Sequence, residues 1–275
     1  HLRPRRQRQM CIRDRDGGFR IIPPEETVKK LLPFVNSIAG YIANIEELQP
    51  EEDVGSTSDP IKIYRTTFFK TPNENALNNL NKDSFIQVCL GKGVTHQQSQ
   101  ASGLCEAVER LNAQYSGDEP LLFAKPEQLE KRYISFQQIT PFSESQYQTY
   151  SNEPNAKSTS SQAAQKYDNE AIHWIPGWSL SNAEQVYIPL SKCFANIPFE
   201  DKKYGRWHSN GAAAGNTLEE AILQGLFELI ERDATAIWWY NRIPRPAFDL
   251  TRIVPEYYSP LEASLNKSHH FWVLD

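Results

Sequence analysis

The sequence predicts an α+β fold, with mainly antiparallel or mixed sheets and packed helices. Strand and helix signals do not alternate strictly along the chain, as they would in a doubly wound α/β protein. A hairpin signal over residues 174–190 places two strands next to each other in sequence, which favours antiparallel pairing. With 275 residues, of which 39% are hydrophobic, the chain can form one large domain or two small ones.

The first part of the chain predicts a helix followed by two strands. Residues 23–27 (PPEET) are a helix-start signal, and apolar residues follow at helical spacing from Val28 to Val35. Residues 46–60 are acidic and rich in turn formers. Alternation over residues 61–69 then predicts one strand, and residues 85–90 predict another that ends in a Gly-Lys-Gly turn.

The middle of the chain predicts a second helix and then less regular structure. Thr95, with Gln98 three residues later, forms a capping box for a helix that runs to about Tyr115. Residues 116–150 contain short strand and helix candidates. Residues 151–170 are rich in Ser, Asn, Gln and Ala without a period, which indicates a loop or linker.

The last third predicts a hairpin, a long helix and a final strand. The hairpin strands are residues 174–180 and 185–190, and the helix begins at Asn216 or Thr217 and continues through Ile237. The apolar residues 271–275 (FWVLD) predict a core strand.

Charge and composition exclude several classes of protein. The net charge is −5 and the first fifteen residues carry +5, so the remaining chain carries −10 and has no basic stripe interleaved with aromatic residues. No run approaches the roughly 18 apolar residues of a membrane helix. The four cysteines form no C-x-x-C pair. We therefore expect a soluble cytoplasmic protein without nucleic-acid or membrane partners, and we treat residues 1–15 as a non-native or boundary segment.

Two related acidic motifs occur on the predicted helices. Residues 102–110 (SGLCEAVER) recur 122 positions later as residues 224–232 (QGLFELIER). On a helix, Ser102, Glu106 and Glu109 span only about 60°, and the matching residues from Glu220 to Glu231 span about 80°. Each set is therefore one narrow polar stripe, flanked mostly by apolar residues.

The stripes favour a cation site. A solvated helix face normally mixes lysine with glutamate, whereas residues 216–231 contain no lysine or arginine. Enclosed glutamates repel one another and are costly to desolvate, so they need cations. Mg²⁺ prefers oxygen ligands and commonly bridges the phosphates of a nucleotide, and Arg110 and Arg232 can clamp phosphate. Two facing acidic helices around a Mg-nucleotide are one interpretation, and a plain acidic helix pair is the other.

At these motifs the sequence resembles the YcaO superfamily, whose ATP sites carry S-x3-E-x-x-E-R on one helix and Q-x3-E-x-x-E-R on another. The similarity continues through residues 90–95 and 209–221, which precede the two helices. Residues 16–20, 231–234, 238–242 and 245–250 are similar to SagD-type cyclodehydratases, bacterial enzymes of thiazole/oxazole-modified microcin biosynthesis. The resemblance covers essentially residues 16–275.

The resemblance implies a set of site residues. Five carboxylates would hold Mg²⁺, some through water: Glu106, Glu109, Glu220, Glu228 and Glu231. Polar residues would contact the phosphates or ribose of ATP: Ser102, Arg110, Asn216, Gln224 and Arg232, with Arg20 and Thr27 by looser alignment. No catalytic residue is assigned, because catalysis would consist mostly of positioning and charge neutralisation. Ala213 stands where the family often has serine, which removes one polar contact.

The resemblance also implies a reaction. A Cys, Ser or Thr side chain of a ribosomally made precursor peptide attacks the preceding amide carbonyl, ATP phosphorylates the resulting oxygen, and phosphate leaves to give a thiazoline or oxazoline. Residues 238–242 (WWYNR) favour this cyclodehydration over thioamide or amidine formation, or an accessory role in ribosomal-protein methylthiolation. A non-catalytic scaffold that binds nucleotide or precursor is a further alternative.

The implied partners are the precursor peptide, a leader-binding E1-like or ocin-ThiF-like domain or protein, a flavin dehydrogenase and a second copy of the chain in a homodimer. Azoline-forming members continue beyond residue 275 to a proline-rich C-terminus. We therefore expect residues 16–275 to be a partial ATP-binding catalytic domain with little activity by itself.

Overall fold

The chain divides into two units, each with its own three-stranded sheet. The computed structural model describes residues 20–48, 61–70, 84–152, 164–253, 255–267 and 270–274. The first unit contains the residues up to Leu111 and those from Asn210 onward, and the second is Asn112–Ser209. Within the described ranges, no helix has both the length and the apolar character that crossing a membrane requires. The basic segment of residues 1–15 lies outside them.

Helices and strands are mixed along the chain and do not alternate strictly, as the sequence predicted. In chain order the elements are α1 (Pro24–Leu31), β1 (Ile42–Glu47), β2 (Lys62–Phe69), β3 (Ile86–Gly93), α2 (His96–Asn112), β4 (Leu122–Ala124), α3 (Phe136–Ile139), α4 (Glu144–Asn152), β5 (Ile172–Ser179), β6 (Glu184–Pro189), α5 (Leu190–Cys193), α6 (Leu218–Asn241) and α7 (Pro255–Leu265). Each unit contains a three-stranded antiparallel sheet, in the orders β1-β2-β3 and β4-β5-β6. The predicted α+β class is confirmed.

In the first unit, α2 packs against the β1-β2-β3 sheet at very short range. A Cβ placed on Gly91 of β3 would lie 2.0 Å from the carbonyl oxygen of Ser99 in α2. The Ser99 hydroxyl lies 2.9 Å from the carbonyl oxygens of both Gly91 and Lys62, so it ties the helix to two strands. Gly91 is therefore required by helix packing, and the turn predicted at this position is wrong because β3 continues through Gly93.

The core of the first unit lies between this sheet and two helices. Phe68 and Leu104 are fully buried, and Val28 of α1 packs with them. Leu31 and Val35 cover the same cluster, as their spacing predicted, whereas Leu32 is exposed.

The second unit contains the predicted hairpin. Its strands are β5 and β6, and the buried Trp174 donates its indole N–H to the Ala124 carbonyl of β4 at 2.9 Å. Phe136 and Tyr204 complete the core around that indole. Residues 164–170 have no helix or strand, in agreement with the predicted loop, although α4 extends to Asn152, and residues 153–163 lie outside the described ranges.

Three further sequence predictions differ from the structure. β1 includes Glu46 and Glu47, which were predicted to lie in a turn-rich region, because these residues pair with β2. α2 ends at Asn112 and not near Tyr115, whose amide N–H bonds to the Ala195 carbonyl instead. Residues 271–274 form no core strand: Leu274 makes an isolated bridge with Ala247, and Trp272 is 74% exposed.

Candidate functional site

The site is built at the start of α6 and on the facing side of α2. The Thr217 side chain caps α6 by accepting a hydrogen bond from the Glu220 amide at 3.3 Å, as the sequence predicted. The loop before the cap lies close against the helix, since a Cβ on Gly225 would come within 2.6 Å of the Gly211 carbonyl oxygen. Glu228 Oε2 accepts the Gly211 amide N–H at 3.0 Å, which holds the loop in place.

Both acidic stripes line one cavity of about 590 Å³. The helices therefore present their stripes to a common space, although they are more than a hundred residues apart in sequence. The predicted site residues that line it are Arg20, Ser102, Glu106, Glu109, Arg110, Asn216, Glu220, Gln224, Glu228, Glu231 and Arg232.

Thr27 is the predicted nucleotide-contacting residue that the structure places elsewhere. It is 3% exposed and is absent from the cavity wall. Its hydroxyl lies 3.0 Å from Asn216 Nδ2 and 3.2 Å from Asn216 Oδ1. The contact that the structure shows for Thr27 is with Asn216, which itself lines the cavity, and a direct contact of Thr27 with the nucleotide stays a prediction.

Negative charge exceeds positive charge in the cavity. Arg110 lies 3.5 Å from Glu106 and 3.8 Å from Glu109, and Arg232 lies 3.4 Å from Glu228. Five carboxylates thus share the cavity with three guanidinium groups, including that of Arg20. This imbalance is the electrostatic condition that a bound cation relieves.

Burial and neighbouring charge both act on Glu109. Burial raises its pKa to about 7, Arg110 opposes that change, and the charges of Glu228 and Glu106 add to it. Its side chain is 17% exposed. A carboxyl group with this pKa is partly protonated at neutral pH and releases its proton when a cation enters the site.

Stability should therefore depend on pH through Glu109. Its pKa is higher in the folded protein than its ordinary value of 4.5, so the folded state binds the proton more tightly. Without a cation, the free energy of unfolding should fall by about 1–3 kcal/mol as pH rises from about 5 to about 8. Urea unfolding at both pH values measures this change. Glu109→Gln should remove most of it, and an equal fall in that variant would contradict the assignment.

The donor set fits Mg²⁺ delivered with phosphate. Among the described residues, no group of three His, Cys, Asp or Glu side chains is arranged to hold a metal ion by itself. Mg²⁺ does not need such a cage, because it usually takes one or two carboxylates and completes its shell with phosphate oxygens and water. The oxygen-rich walls and nearby arginines match that requirement.

Sequence reasoning missed the apolar part of the wall. Leu223 and Phe227 line the cavity beside the acidic residues of α6. At 100° per residue both lie within about 60° of Glu220, on one edge of the stripe, so the helical angle was an available signal. Cys105 of α2 also lines the cavity, and burial raises the pKa of its thiol, which makes it a poor nucleophile.

The enclosure predicted for α6 is only partial. Ile222, Leu226, Leu229 and Ile230, the apolar flanks of its stripe, are each at least 39% exposed in the part of the chain that the structure describes. Leu104 of α2, by contrast, is fully buried. The described residues therefore bury the apolar side of α2 behind its polar stripe, whereas they leave the apolar side of α6 exposed. Trp239 of α6 is exposed as well.

Known proteins are similar to this chain in fold and in sequence. The chain has a TM-score of 0.81 and 35% identity to a heterocyclase solved in complex with substrate and cofactor, covering 94% of this chain and 34% of that one. Against the heterocyclase TruD the TM-score is 0.59 and the identity 32%, over 92% and 33% of the two chains. An uncharacterized protein of Methanothermobacter thermautotrophicus is 28% identical over 170 residues, or 61% of this chain and 38% of its own. The chain thus spans little more than a third of these relatives.

Family membership follows from the match to a family model. Residues 90–275 match the family model of the YcaO cyclodehydratases, which is described as ATP- and Mg²⁺-binding. Both acidic motifs lie inside the matched range, and ATP and Mg²⁺ are the cofactors that the sequence predicted. The chain therefore belongs to the YcaO cyclodehydratase family.

Proposed function

We propose that the complete protein is an ATP- and Mg²⁺-dependent enzyme that cyclodehydrates Cys, Ser or Thr residues of a ribosomally made precursor peptide. The observation that carries the proposal is the convergence of both E-x-x-E-R motifs on one cavity. Its two heterocyclase neighbours, at 35% and 32% identity, support cyclodehydration over other reactions of the family.

Different parts of the cavity wall suit the metal, the phosphates and the base of a Mg-nucleotide. Oxygen ligands to Mg²⁺ would come from Glu106, Glu109, Glu220, Glu228 and Glu231. Arg110 and Arg232 would bind phosphate oxygens. Leu223 and Phe227 supply apolar surface of the kind on which a purine base packs.

The chemical role of this chain would be activation of an oxygen as a leaving group. Bound ATP supplies a phosphoryl group for the amide-derived oxygen, which otherwise leaves poorly. The residues of the chain orient the nucleotide, neutralise its charge and exclude water from one side of the cavity, which is how phosphoryl-transfer sites usually act. No side chain is required to form a covalent bond.

Mass spectrometry of a precursor peptide tests the proposal. With the complete protein, the leader-binding partner and Mg-ATP, the precursor should lose one water mass for each ring formed. Omission of ATP should leave its mass unchanged. Thioamide formation would instead raise the mass, because sulfur replaces oxygen, and would overturn cyclodehydration while retaining ATP chemistry. An unchanged mass with ATP bound would indicate a scaffold.

The partners belong to the same proposal. A precursor peptide and a leader-binding E1-like or ocin-ThiF-like partner supply substrate and recognition, and a flavin dehydrogenase would oxidise azolines afterwards. Homodimer formation is a separate expectation that sedimentation of the complete protein measures.

A further inference from the structure

We infer that Thr27 is a positioning residue, which acts on the nucleotide site by holding the Asn216 side chain and does not touch the ligand itself. The inference rests on the proposed function, because it assigns a role within the Mg-ATP site. It concerns two residues that lie 189 positions apart in sequence and meet where α1 contacts the start of α6.

Burial separates the roles of the two residues. Thr27 is 3% exposed and lies behind the cavity wall, whereas Asn216 lines the cavity. A ligand in the cavity can therefore reach the Asn216 amide and not the Thr27 hydroxyl. The two side chains are joined by a hydrogen bond, in which Asn216 Nδ2 donates to the Thr27 hydroxyl at 3.0 Å.

The bond leaves Asn216 able to bind a ligand. A side-chain amide has two N–H donors and an acceptor oxygen with two lone pairs. The contacts of the Thr27 hydroxyl with Nδ2 and Oδ1 therefore leave one N–H and one lone pair for a ligand. The contact restricts rotation of the amide before the nucleotide binds, so less side-chain entropy is lost on binding. The backbone of Asn216 is held independently, since its N–H donates to Glu220 Oε2 at 2.9 Å.

Glu220 also makes a second contact, with the segment that precedes α1. Its other oxygen, Oε1, accepts the backbone N–H of Ile21, the residue after Arg20. Asn216 is thus fixed through its backbone by Glu220 and through its side chain by Thr27. Removing the Thr27 hydroxyl should release the side chain alone, which makes the effect of Thr27 separable from that of Glu220.

A double-mutant cycle on ATP affinity tests the inference in the full chain. Thr27→Val, which keeps the shape of the side chain, should weaken binding of a fluorescent ATP analogue about five- to tenfold, the effect of one hydrogen bond. Thr27→Ser should restore wild-type affinity. In an Asn216→Ala background, Thr27→Val should have no further effect, because the group on which it acts is gone.

A matched control is available in the same unit. Thr66 is fully buried, and its hydroxyl has no hydrogen-bond partner among the described residues, so Thr66→Val should leave ATP affinity unchanged. Thermal unfolding of every variant shows whether it folds, and Thr27→Ala replaces Thr27→Val in the cycle if the valine variant does not.

The outcomes are distinguishable. Additive losses in the cycle would mean that Thr27 contacts the nucleotide directly, and unchanged affinity in Thr27→Val would mean that it has no part in the site. Either result overturns the inference. Failure of the wild-type protein to bind the analogue would instead overturn the proposed function.

Discussion

Glu228→Gln should reduce Mg²⁺-dependent ATP binding at least about 30-fold. Glu228 belongs to the α6 motif and contacts Arg232 on its own helix. It also acts on the α2 motif, because its charge adds to the effect of burial in raising the pKa of Glu109. Loss of one charged partner in a desolvated cluster typically costs about 2–5 kcal/mol, and each 1.4 kcal/mol is tenfold in affinity. Glutamine can still accept the Gly211 amide N–H, so the loop before α6 should keep its position.

Calorimetric titration with ATP, with and without Mg²⁺, measures this effect. Glu219→Gln is the matched control, because Glu219 lies on the same helix, is exposed and does not line the cavity. It should bind ATP as the wild type does. Arg232→Ala should also weaken binding. Equal affinities in Glu228→Gln and the wild type would show that the α6 stripe holds no metal-bound nucleotide.

The parts of the site that the sequence predicted depend on local chemistry. Thr217 caps α6 through its own side chain and the Glu220 amide three residues away. The spacing E-x-x-E-R puts both glutamates of a motif on one helix face whatever surrounds it. These relations involve neighbouring residues only, so they could be predicted from a single sequence.

The parts that could not be predicted depend on contacts between distant segments. β1 contains two glutamates and an asparagine, and it becomes a strand through its pairing with β2. The contact between Thr27 and Asn216 likewise depends on where α1 packs. The sequence motif therefore predicted that Thr27 is near the nucleotide, but it could not show that Thr27 lies behind Asn216. Residues 271–274 have the composition of a strand, yet they make one isolated bridge in the described structure.

Gly91→Ala should destabilise the first unit by roughly 3 kcal/mol or more, the upper part of the range for an overpacked core. Gly91 was predicted as a turn glycine, and a turn would tolerate alanine more readily than this packing does. An added Cβ would lie 2.0 Å from the Ser99 carbonyl oxygen and 2.3 Å from the Gly103 amide nitrogen, both of which are backbone atoms of α2. The backbone cannot rotate away as a side chain can, so α2 must move from the sheet. Ser102, Glu106 and Glu109 would move with it, and ATP affinity should fall together with stability.

Urea unfolding measures the loss, and Gly177→Ala provides the comparison. Gly177 also lies in a strand, but its added Cβ would meet the end of the Ile188 side chain at 2.6 Å, and that side chain can change rotamer. Gly177→Ala should therefore cost much less than Gly91→Ala. Similar losses of stability in the two variants would mean that any strand glycine is equally sensitive to an added side chain. The close packing of α2 on β3 would then not explain why residue 91 is glycine.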